Sequence, residues 1–95
     1  MQQKYKNLSE VKDQADVLLM QLSQGEYNSV DTYANNLFHL NNIFNTFSSY
    51  IDDLNFLAWL KKHDPVMTSE IVMTGRLLMS HYNFFRVSLM EHSRE

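Results

Sequence analysis

Four histidines, His39, His63, His81 and His92, are the residues of this 95-residue chain most able to bind a metal or carry a proton. A helical metal site needs a second ligand three or four residues away on the same face. His39 and His81 have no carboxylate at that spacing, and His92 has only Glu91 beside it and Glu95 three residues on. All read as ordinary surface or boundary histidines. Asp52 and Asp53 are adjacent, so on a helix they point about 100° apart and do not converge on one ion. The chain has no cysteine, which removes thiolate catalysis, disulfides and cysteine-based zinc sites. It has no glycine loop for phosphate, and no serine or threonine with a recognisable base. No metal, cofactor or catalytic residue is expected.

One short stretch offers a different chemistry. RLLMSH, Arg76 to His81, is similar to the Arg-x4-6-His signature of the HEPN ribonuclease family. The resemblance implies a helical bundle, often dimeric, in which Arg76 and His81 of two subunits line a cleft and assist attack by a ribose 2′-hydroxyl. It covers only these residues, and Leu77 stands where the family often has a polar side chain. The five-residue spacing splays the two side chains by about 140° on an ideal helix. A ribonuclease is therefore carried as the alternative to a binding protein.

Any such residue must be placed by helices. Two glycines and one proline in 95 residues leave few turns. The composition, 44% hydrophobic and 13% aromatic, is rich enough for a core and too rich for a disordered chain. Leu8, Val11, Ala15, Leu18 and Leu22 alternate in steps of three and four, predicting a first helix over about 8–24. Asn7 or Ser9 is the expected cap, and Gly25 the expected left-handed terminator. The same alternation joins Val30, Tyr33, Leu37, Leu40, Phe44, Phe47, Ile51, Leu54 and Ala58. It predicts one long helix over about 29–63, capped by Ser29 with Asp31 in its first turn. Phe56, Trp59 and Leu60 add apolar surface near its end. Ser49 and Asp52 resemble a capping box, which would break this helix and give four helices. The unbroken heptad phase favours a continuous one.

Asp64 precedes Pro65, so it should leave the helical region and cap a third helix over about 65–92, with Pro65 in its first position. Ile71, Gly75, Leu78, Tyr82, Phe85 and Leu89 form that helix's stripe. Gly75 lies on the stripe, where glycine costs about 1 kcal/mol relative to alanine. A close helix crossing at that point is expected. The predicted fold is all-α, a single domain formed as an antiparallel three-helix bundle. The helices would be about 22, 50 and 40 Å long, so the first would cover only about half of the hairpin formed by the others. Either the second helix bends and shortens the body of a compact monomer, or a second chain, most simply in a two-fold homodimer, completes the bundle; the second chain is the favoured reading.

The net charge of −3 disfavours nucleic acid as a partner. Lys61, Lys62 and His63 read as a solvated helix end. There is no secretory signal and no apolar run long enough to span a membrane, so the expected location is cytoplasmic. The favoured function is a small non-enzymatic adaptor. It would bind a partner protein or itself through Leu37, Leu40, Phe44, Phe47, Ile51, Leu54, Tyr82 and Phe85, as helical secretion chaperones, antitoxins, immunity proteins and phage inhibitors do. A helical nucleic-acid-binding regulator is a further alternative. Met67, Met73, Met79 and Met90 would make the last helix adaptable, as gap fillers or as a groove. Asn35, Asn41, Asn42 and Asn45 should point outward, with Asn36 at the edge of the stripe. No Asp, Glu, Lys or Arg occurs between Asp31 and Asp52. That face is either plain exterior or a second contact surface.

Overall fold

The computed structural model describes residues 1–25 and 30–93, with side chains to Glu91. The expectations for Ser29, and for the side chains of His92 and Glu95, lie outside the described residues. Among the described residues four helices follow in order: α1 (Gln2–Gln24), α2 (Val30–Ile51), α3 (Leu54–His63) and α4 (Pro65–Ser93). The all-α reading holds, and the three-helix count is corrected to four.

α2 and α4 make the main contact and run antiparallel. Tyr33 near the start of α2 meets Phe85 near the end of α4, with ring centroids 6.0 Å apart. At the other end of α2, a Cβ placed on Gly75 would lie 3.3 Å from Ile51 Cδ1 and 3.7 Å from Phe47 Cε1. Gly75 thus marks the close crossing expected from its place on the stripe. α1 lies alongside and parallel to α4, joined to it through Lys12 and Glu70. Tyr33, Leu40 and Phe47 of α2 meet Ile71, Leu78 and Phe85 of α4 and Leu8, Ala15 and Leu22 of α1 in one buried cluster.

The helix expected over 29–63 ends at Ile51. Asp53 leaves the helical region at φ −83° and ψ 95° and caps α3, accepting a hydrogen bond from Phe56 N at 3.1 Å. The helix does break, as the capping-box reading allowed, but further on: Ser49 lies inside α2 with its hydroxyl donating to the Thr46 carbonyl oxygen at 2.6 Å, and Asp53 is the capping residue. The consequence of the break is a change of phase. On an uninterrupted helix Leu54 and Ala58 would continue the core stripe, and Phe56 would face away from Phe47. After the break Phe56 and Leu60 are fully buried, while Leu54 is 76% exposed. An aromatic ring buries far more apolar area than the alternative leucine could at this end, so burial overrides the heptad.

α1 also differs from expectation. It begins six residues before Leu8, and Asn7 and Ser9 lie inside it without capping it. Gly25 is extended, at φ −84° and ψ 159°, so no left-handed cap ends the helix. The additional first turn is held by contacts remote in sequence. Lys4 pairs with Asp53, and Tyr5 donates its hydroxyl proton to Asp64 Oδ2 at 2.7 Å. The Tyr5 ring packs edge-on against Trp59. α1 therefore covers more of the bundle than a helix from Leu8 would.

The boundary at Asp64 and Pro65 is as expected. Asp64 is non-helical, its Oδ1 accepts from Met67 N at 3.0 Å, and Pro65 opens α4. Lys61, Lys62 and His63 occupy the exposed last turn of α3, where positive charge complements the helix dipole. The molecule is elongated, 50 × 22 × 18 Å, with a radius of gyration of 15.0 Å against about 12 Å for a compact chain of this length. No helix among the described residues is long and apolar enough to cross a membrane.

Candidate functional site

Packing α1, α2 and α4 together leaves a groove along each pair of helices among the described residues. Between α1 and α2 a hollow of about 440 Å³ is walled by Asp13, Gln14, Val17, Gln21, His39 and Ile43. Between α1 and α4 a hollow of about 320 Å³ is walled by Leu22, Ser80, His81 and Phe84 over Phe85. Between α2 and α4 two hollows adjoin, sharing Phe44 and Met79. The first, about 290 Å³, adds Ile51, Val72, Gly75 and Arg76. The second, about 220 Å³, adds Asn41, Asn45 and Tyr82.

The α2–α4 groove follows from local sequence. α2 places Phe44 and Ile51 seven residues apart, on the edge of its buried stripe rather than at its centre. Gly75 has no side chain, so the groove floor sinks to the α4 backbone beside Ile51. Met79 and Val72 form the far wall and are substantially exposed. Asn41 and Asn45 flank one end with uncharged amides, and Asp52 and Arg76 place one charge of each sign at the other. This arrangement can seat apolar anchors and hydrogen-bond polar flanks.

Of the eight residues expected to bind a partner, Phe44, Ile51 and Tyr82 come together in this groove. Leu40, Phe47 and Phe85 are buried and serve the fold. Leu37 is half-buried against the core, and Leu54 stands alone on the outside of α3. The stripe thus mixed core residues with groove residues, because spacing gives a direction around the helix and not a depth. Met79, Val72, Asn41 and Asn45 belong to the groove and were not among the expected site residues. The run of asparagines was the available signal for the last two.

Asn35, Asn41, Asn42 and Asn45 are exposed, as the helical register requires. Asn36 is half-buried, and its Nδ2 makes no hydrogen bond among the described residues. Within this amide face stands Phe38, 64% exposed, with His39 edge-on at 5.9 Å between ring centroids. Burial would normally claim such a ring.

The other candidates are dispersed. Arg76 lines the α2–α4 groove and His81 the α1–α4 groove, on opposite flanks of α4. His63 stacks on Trp59 at 4.3 Å, its Nδ1 2.8 Å from the Trp59 carbonyl oxygen. No three potential metal ligands cluster among the described residues.

At the ends of α3 both capping aspartates are bound from α1. The Lys4 ammonium and the Phe56 N–H hold Asp53 below the usual carboxylate range. The Met67 N–H and the Tyr5 hydroxyl do the same for Asp64, and Asp64 in turn pushes the Tyr5 hydroxyl up. These contacts join the ends of α3 to the first turn of α1. They are structural, and none of the four groups opens onto the α2–α4 groove. Compared with known proteins, the chain matches no family model, no curated protein and no solved structure.

Proposed function

We propose that the protein is a non-enzymatic helical adaptor that receives an apolar helix of a partner protein in the α2–α4 groove. The observation that supports this reading is the pair of adjoining hollows over Phe44, Ile51, Met79 and Tyr82. Two helices with a furrow between them suit the helix-in-groove mode, in which anchors at i, i+3, i+4 and i+7 fill the furrow. The Asn41 and Asn45 amides hydrogen-bond the partner's polar flanks without the desolvation cost of a charge. Methionine at the wall adapts to anchors of different shape.

The test is affinity purification of the tagged chain from its native source, run beside Met79→Glu and Leu54→Glu. Both positions are exposed, so both variants keep the fold. The expected result is a partner retained by the wild type and by Leu54→Glu and lost with Met79→Glu. Retention by all three sinks the groove as the binding site. RNA cleavage that disappears in Arg76→Ala and His81→Ala would establish the ribonuclease alternative instead.

A further inference from the structure

We infer that Met79 is an oxidation site, at which hydrogen peroxide converts the thioether to a sulfoxide and closes the α2–α4 groove to an apolar helix, a regulation that rests on the adaptor reading of that groove. The chain has no cysteine, so its six methionines carry the sulfur atoms open to a two-electron oxidant. Met67 is buried at 7% exposure, whereas Met79 is 41% exposed. Met1, Met20, Met73 and Met90 are exposed as well. Met79 differs from them in its place. Among the described residues it is the one methionine in the walls of the α1–α2, α1–α4 and α2–α4 hollows. Both adjoining hollows of the α2–α4 groove share it, so a change in its polarity alters both.

The step balances with the peroxide alone. A sulfur lone pair attacks one peroxide oxygen, the sulfur–oxygen bond forms and the oxygen–oxygen bond breaks. Sulfur is oxidised by two electrons and the peroxide is reduced. The second oxygen leaves as hydroxide and takes the proton of the transferred hydroxyl, giving water and the neutral sulfoxide.

The product replaces a soft apolar group by a polar one whose oxygen accepts hydrogen bonds. Donors stand on both walls. Arg76 and Tyr82 lie three residues before and after Met79 on α4, a spacing that brings Cβ atoms within about 5–6 Å. Asn41 and Asn45 line the second hollow with Met79 from the α2 side. These donors hold a sulfoxide oxygen over the groove instead of releasing it to water. Two effects then oppose an apolar helix. Its anchor must bury the sulfoxide dipole and strip it of its partners. Its polar flanks find the Asn41 and Asn45 amides engaged. The same oxidation at Met1, Met20, Met73 or Met90 falls outside these walls and leaves the groove unchanged.

The test begins with the folded chain alone. After treatment with hydrogen peroxide, tandem mass spectrometry should place one added oxygen on Met79 and none on Met67. NMR spectra should show the Asn41 and Asn45 side-chain amides shifting on oxidation of the wild type and of Met73→Leu. They should stay in place in Met79→Leu, because leucine is not oxidised. An unoxidised Met79, unshifted amides in the wild type, or an equal shift in Met79→Leu overturns the proposal. The partner retained in affinity purification supplies the functional arm, with each chain compared with itself before and after peroxide. Retention should weaken by about tenfold or more for the wild type and Met73→Leu, and return when methionine sulfoxide reductases for both sulfoxide epimers are added. Peroxide should not change the retention, whatever its level, shown by Met79→Leu. Undiminished retention by the oxidised wild type, or an equal loss in oxidised Met79→Leu, overturns the switch and leaves the adaptor reading standing. A reduced wild type that retains no partner overturns the adaptor reading and the switch with it, and the spectra then decide whether Met79 is the oxidation site.

Discussion

Gly75 allows the packing argument to be tested quantitatively. Alanine at this position gains about 1 kcal/mol of helix propensity. Its methyl group would lie 3.3 Å from Ile51 Cδ1, inside the roughly 3.5–4.0 Å optimum for carbon pairs. Cδ1 is the far end of a half-buried side chain beside an open hollow, so it yields by a few tenths of an ångström at modest cost. The net effect of Gly75→Ala should be a stabilisation of about 0.5 kcal/mol or less. Ile51→Val removes Cδ1 and should itself cost about 0.5 kcal/mol. In that background Gly75→Ala should recover its full gain of about 1 kcal/mol, raising the melting temperature by about 4–8 °C. Urea and thermal unfolding of the four proteins complete a double-mutant cycle, with an expected coupling of about 0.5 kcal/mol. An equal increment in both backgrounds would refute the close contact. A loss above about 2 kcal/mol in Gly75→Ala would mean that backbone, rather than a movable methyl, opposes the new side chain.

Other outcomes follow from burial and charge. Phe47→Ala should cost about 3–5 kcal/mol in urea unfolding, because the ring is fully buried, whereas Phe38→Ala should change stability by less than about 0.5 kcal/mol. Leu54→Glu should melt close to the wild type, an outcome that a continuous second helix with Leu54 in its core would forbid. Asp53 and Asp64 both titrate below the ordinary carboxylate range in the folded state, so the unfolded chain binds protons first as pH falls. Their contribution should be complete above the unfolded value of about 4 and lost as pH falls through the depressed folded values. Melting temperatures measured from neutral pH into acid should therefore fall less steeply for Asp53→Asn and Asp64→Asn than for the wild type.

The helical class, the α4 boundary and the outward asparagines were all legible in the chain. Each depends on neighbours within about one turn. Asp64 before Pro65 leaves the backbone few choices, and a three–four alternation fixes which side of a helix is apolar. The groove was legible in part. Phe44, Ile51 and Tyr82 were expected at a binding face, but so were Leu40, Phe47 and Phe85, which are buried. Periodicity cannot tell a stripe's centre from its margin, since that depends on how closely the opposing helix approaches. Gly75 sets that approach, and its role was visible as a cost needing compensation.

Other features have no local cause. The first turn of α1 contains no heptad residue before Leu8, yet Lys4 and Tyr5 hold it to Asp53 and Asp64, 49 and 59 residues away. The break at Asp53 opposes a continuous apolar alternation with a cap and the burial of Phe56 and Leu60. Local pattern therefore specified which segments are helical and which way their faces point. Where α1 begins, and which of two competing apolar phases α3 buries, were settled by contacts between distant segments, because the burial and hydrogen bonding that choose between them exist only once the helices pack.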